Sequence, residues 1–157
     1  MAQVKLVNYG EAPAEVKAVF DDIMKTRKTD YINNIWRALA ANPPVLKRFW
    51  GQMKEIMIKP SRLDPLTKEL IYLAVSINNN CDYCINSHTF AARKHGLDDA
   101  MLAELAEVVA LANAGNRLTI GLQVEPDERF KPKRPSSQWS VGKTAKAKSA
   151  KGRRKQR

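Results

Sequence analysis

The chain has 157 residues, a length suited to one domain, and 44% of them are apolar, enough for a packed core. No run of about 18 apolar residues occurs, which argues against a membrane span, and Met1–Leu6 lacks an apolar signal core, so a cytoplasmic location is expected. The net charge of +11 is segregated: eleven of the 27 basic residues fall between Lys131 and Arg157, where there is no acid, leaving 16 bases against all 16 acids in residues 1–130.

Residues 1–10 read as an extended entry segment. Pro13 marks a helix start, and Val16, Val19, Phe20, Ile23 and Met24 fall at the spacing of one buried helical face. Arg27 and Lys28 place positive charge at its end, where the helix dipole favours it. A second helix is predicted from Asp30 to Ala41, stopped by Asn42 before Pro43-Pro44. A third starts at those prolines and carries Val45, Leu46, Phe49, Trp50, Met53, Ile56 and Met57 on one side. Core packing explains such a stripe without any cofactor.

Asp64 and Pro65 form the next helix start, as cap and first-turn residue. The helix from Pro65 to about Asn78 is apolar nearly all round, which predicts a place in the centre of a bundle. Glu69 is its only acid, and an ionised carboxylate in such a setting needs a partner. Asn78-Asn79-Asn80 is a break. A new helix opens at Asn80 or Cys81 and ends at Gly96, a C-terminal cap. Asp98 caps another, carrying Met101, Leu102, Leu105, Val108, Val109 and Ala112. Gly115 is expected to interrupt it, with a short further helix from Asn116 to Leu122. Nothing alternates with period two, so the fold class is all-α.

The chemistry gathers between Glu69 and His88. This stretch holds both cysteines, Cys81 and Cys84, and one of the two histidines. Cys84 and His88, four apart, stack on one helical face, and Cys81, seven before His88, lies on the same side. A helix N-terminus favours thiolate at Cys81, and only the thiolate attacks. An imidazole in reach can take the thiol proton or stabilise the anion. If the preceding helix packs antiparallel across the asparagine turn, Glu69 can orient the His88 ring. Such a set can reduce a hydroperoxide: the thiolate becomes sulfenic acid, the second thiol condenses with it to a disulfide, and an external dithiol restores the pair. The competing reading of a C-x-x-C with a nearby histidine is a metal site, but a structural zinc wants four ligands. His95, seven after His88, is placed at the helix end as a cap.

The pattern Glu69, then Cys81-Asp82-Tyr83-Cys84, then His88, with eleven residues between the acid and the first cysteine, resembles the alkylhydroperoxidase AhpD branch of the carboxymuconolactone decarboxylase family. The flanks Lys68–Val75 and His88–Leu97 agree with it. The likeness spans roughly residues 15–125. It implies an AhpD-like helical bundle over residues 1–130, assembled as a trimer or hexamer, with no cofactor. It implies a peroxidase in which Cys84 attacks the peroxide, Cys81 resolves, and Glu69 and His88 relay protons. The reductant would be a dithiol protein, lipoyl-bearing or thioredoxin-like. Where some members carry a further histidine between the cysteines, this chain has Asp82 and Tyr83.

Residues 131–157 lack the apolar content to offset their chain entropy and read as a disordered basic tail. A solvated extension and nonspecific nucleic-acid contact through counterion release are its two readings. With only Trp139 for aromatic contact, base stacking is not its design. The alternative to an enzyme is a redox-sensing or metal-binding oligomer in which the tail acts.

Overall fold

The helices expected to start at Pro13, Pro43, Asp64-Pro65 and Asp98 do so in the computed structural model, which describes residues 2–131. The order is α1 (Ala14–Arg27), α2 (Asn34–Leu39), α3 (Pro43–Met53), a π-helical turn (Lys54–Ile58), α4 (Pro65–Asn78), α5 (Asp82–Arg93) and α6 (Asp99–Gly121). Short 3₁₀ turns flank the set at Tyr9–Glu11 and Glu128–Phe130. The described residues contain no strand, and the fold is all-α, as expected. None of their helices is long and apolar enough to cross a membrane. The basic tail beyond residue 131, including its nucleic-acid reading, lies outside the described residues.

The caps are local chemistry. The Asp64 carboxylate accepts the Thr67 amide at 2.9 Å, and the Asp98 carboxylate accepts that of Met101 at 2.7 Å. Helix ends use left-handed residues: Lys28, Asn80, Gly96 and Gln123 all have positive φ. At Asn80 the Cys81 amide reaches back to the Ser76 carbonyl at 3.0 Å, and the Asn80 amide to that of Ile77 at 3.2 Å. This paired closure lets α5 fold back on α4 immediately before the first cysteine. The same closure at Gly96 ends α5, with Leu97 bonded to Ala92 at 3.1 Å.

Three expectations need correction. The second helix is shorter than Asp30–Ala41, because Lys28 at φ 52° turns the chain and residues 31–33 remain without helical bonding before Asn33 caps. Gly115 does not interrupt α6, which runs unbroken to Gly121. A helical glycine costs about 1 kcal/mol relative to alanine, too little to break a helix already nucleated on both sides. Nor is α4 enclosed: Ile71 and Val75, one turn apart, are 52% and 55% exposed.

By packing, the chain divides into Met1–Arg117 and Leu118–Arg157. In the second unit, residues 118–131 are described. They include the end of α6, closed by a Val124 to Thr119 bond of 3.0 Å, and the exposed Leu118, Ile120, Leu122 and Val124. The first unit holds two apolar clusters. One joins α1, α2 and α3 through Val16, Phe20, Ile23, Trp36, Leu46 and Trp50. The other gathers Leu73, Ala92 and Leu97 with Leu66, Leu70, Ile77 and Ile85. The candidate site is a cavity lined by side chains of both groups of helices.

Candidate functional site

Glu69 lies one turn into α4, and His88 lies on the second turn of α5. Because α5 doubles back at Asn80, the two residues, nineteen apart in sequence, meet: His88 Nδ1 is 2.6 Å from Glu69 Oε2. Both side chains are nearly out of water, at 14% and 13% exposure. This is the partner that the acid of α4 requires. A carboxylate oxygen accepts, so this contact assigns the Nδ1 position of the ring to donation and turns Nε2 away from Glu69.

The ring is fixed from a second direction. Tyr72 stacks on His88 with centroids 3.6 Å apart and planes 19° from parallel. Tyr72 was not singled out from sequence, although it stands three residues after Glu69 and so shares its face of α4. The imidazole is thus held by one hydrogen bond and one aromatic face, both from the same helix.

Cys81 and Cys84 are joined as a disulfide, with Cα atoms 5.3 Å apart. Cys81 is the N-cap of α5, and its sulfur accepts the Cys84 amide at 3.4 Å. Both sulfurs therefore belong to the first turn of a helix, where the backbone favours negative charge. Between them, Tyr83 reaches across to α2, its hydroxyl accepting the Ile35 amide at 3.3 Å.

Cys84, His88 and Glu69 line one cavity of about 450 Å³. Its other walls come from Trp36, Phe49, Trp50 and Met53 of the first cluster and from Met57 and Ile58 of the π-helical turn. Cys81 is not among the lining residues. His95, expected only as a helix-end cap, also lines the cavity, as its seven-residue spacing from His88 allows. Arg27 and Asn33 also line it and are hydrogen-bonded to each other. Among the described residues, no group of three or more His, Cys, Asp or Glu side chains is arranged to hold a metal ion.

Residues 44–124 match the model of the carboxymuconolactone decarboxylase family. An uncharacterised protein of Cupriavidus necator is 37% identical over 89 residues, which cover 56% of this chain and 74% of that protein. Among solved structures, the alkylhydroperoxidase AhpD core of Rhodospirillum rubrum is 50% identical. That match has a TM-score of 0.80 and covers 83% of this chain and 97% of the other. With half of its length under the family model and a fold shared at this identity, the chain belongs to the carboxymuconolactone decarboxylase family as an AhpD-like member.

Proposed function

We propose that this protein is a thiol-dependent peroxidase that reduces organic hydroperoxides through Cys84 and Cys81. The observation that carries the reading is the buried Glu69–His88 pair on the wall that also holds Cys84. In the reduced enzyme, His88 Nε2 takes the Cys84 proton. The thiolate attacks the outer peroxide oxygen, the O–O bond breaks, and the imidazolium returns the proton to the departing alkoxide. The products are an alcohol and a sulfenic acid at Cys84. The Cys81 thiol then displaces its hydroxyl, giving the disulfide and water. An external dithiol reopens the bond by exchange. Overall, one hydroperoxide and one dithiol become one alcohol, one water and one disulfide.

Access to the cavity supports this order of the cysteines. Cys84 faces the cavity and meets the peroxide, whereas Cys81, outside its lining, resolves. Glu69 acts through His88, keeping its proton on Nδ1 and stabilising the imidazolium formed during attack. The reductant is a lipoyl-bearing or thioredoxin-like protein, and the demand for a reduced dithiol suits the cytoplasm. Assembly into a trimer or hexamer would cover apolar side chains such as Val108 and Leu111, exposed by 58% and 74% on α6.

The test is hydroperoxide consumption by the full chain with reduced lipoamide or a thioredoxin system. Cys84→Ser should abolish turnover, and a fully active variant would defeat the assignment.

A further inference from the structure

The cavity wall combines a reactive end with a charge that nothing in the reaction uses. Arg27 closes α1, where a basic residue ordinarily serves the helix dipole. Its guanidinium instead bonds to the neutral side chain of Asn33, beyond the turn made by Lys28. Among the described residues, no carboxylate forms an ion pair with Arg27. Of the lining residues it is the only lysine or arginine, and the only lining acid, Glu69, is engaged by His88. The lining also includes large apolar side chains: Trp36, Phe49, Trp50, Met53 and Met57. The volume of about 450 Å³ falls within the range of small-molecule sites.

We infer that the substrate is an amphipathic hydroperoxide, an apolar chain ending in a carboxylate, and that Arg27 is the residue that selects it. This rests on the peroxidase reading and names its substrate class. A guanidinium matches a carboxylate with two parallel donors. The apolar chain replaces water along the indole, phenyl and thioether walls, and the peroxide is presented to Cys84. Asn33 holds the fork of donors in place before the ligand arrives, which reduces the ordering cost of binding. Hydrogen peroxide would leave both the apolar wall and Arg27 unused.

The experiment compares a hydroperoxydecanoic acid with its methyl ester, the same chain without the charge, on the full-length protein. The unmodified enzyme should favour the acid in kcat/KM by about tenfold, the lower end of what a charge-assisted hydrogen bond contributes. Arg27→Met should bring the acid-to-ester ratio close to one, Arg27→Lys should restore part of it, and added salt should reduce it. Binding is read separately, through the tryptophan fluorescence of Trp36 and Trp50, with hydroxydecanoate and its methyl ester. The same preference, lost in Arg27→Met, is expected there. An enzyme active on acid and ester alike, or a preference that survives Arg27→Met, would overturn this inference alone. An enzyme inactive on both would overturn the peroxidase reading and this inference with it.

Discussion

The helices α1 to α3 and the hairpin of α4 and α5 differ in what they bury. In the first group, Val16, Phe20, Ile23 and Leu46 are fully removed from water, and Trp36 and Trp50 are nearly so. In the hairpin, only Leu73 and Ala92 reach that state, and the other residues buried there are the polar Lys68 and Ser76. The Lys68 ammonium donates to the Lys59 carbonyl at 2.9 Å, tying α4 to the chain just after the π-helical turn. The hairpin holds Glu69, His88 and both cysteines, and leaves Ile71, Val75 and Phe90 exposed. One group of helices is the more deeply buried and supplies apolar walls to the cavity, and the other supplies its carboxylate, imidazole and sulfur. Polar chemistry has been placed where apolar burial is thinnest, so changes in the two regions should separate stability from rate.

The strongest separation is expected at the Glu69–His88 pair. His88→Ala and Glu69→Gln should lower hydroperoxide turnover by about 10²- to 10⁴-fold, the usual contribution of a positioned acid–base group. Glutamine retains a hydrogen-bonding oxygen but not the charge that stabilises the imidazolium, so its loss should be the smaller of the two. Both variants should keep the helical circular dichroism of the unmodified chain. If the rate fell only because the protein unfolded, the division between the regions would fail.

The converse change is Phe20→Ala, in a side chain with no exposed surface. Truncating a buried phenylalanine costs about 3–5 kcal/mol through lost transfer energy and the cavity left behind. Denaturant unfolding should show that loss, while the remaining folded molecules turn over hydroperoxide at close to the normal rate. Phe20 does not line the 450 Å³ cavity. A large fall in rate per folded molecule would show that the first cluster does more than support the site.

Much of this was legible in the chain because the signals were local. Asp64, Asn80, Gly96 and Asp98 act at helix ends through their own backbone neighbourhoods, and each is where its chemistry predicts. The pairing of Glu69 with His88 follows from two helices meeting at one asparagine turn. Less legible were features set by packing between distant segments. Lys28 takes a left-handed angle that its residue type does not favour, which shortens α2 and sends Arg27 to Asn33. The π-helical turn at Lys54–Ile58 has no pattern that separates it from the end of α3. The exposure of Ile71 and Val75 was hidden because apolar content alone does not say what covers it. Tyr72 was readable from its spacing, but a tyrosine in an apolar helix is explained equally well by packing.

The smallest expected effect lies at the base of the first region. The Asp22 carboxylate accepts the Trp50 indole N–H at 2.7 Å and pairs with Lys54. Trp50 in turn stacks edge-on to Trp36 and lines the cavity, so the acid anchors a wall that the hairpin uses. Lys54, and after it Trp50, hold Asp22 below the ordinary carboxylate range. A depressed folded-state value means that the unfolded chain binds the proton more readily. The contribution is therefore complete above the unfolded value of about 3.9 and disappears as pH falls through the lower folded value. With the Asp22 side chain 41% exposed, solvent screens the pair, and Asp22→Asn should cost no more than about 1 kcal/mol at neutral pH. Asparagine still accepts from Trp50, so the loss belongs to the charge. Unfolding of the two proteins should differ at pH 7 and converge towards pH 3. A difference that stays constant over that window would mean that Asp22 supports Trp50 through geometry alone, and that the wall of the cavity does not depend on its charge.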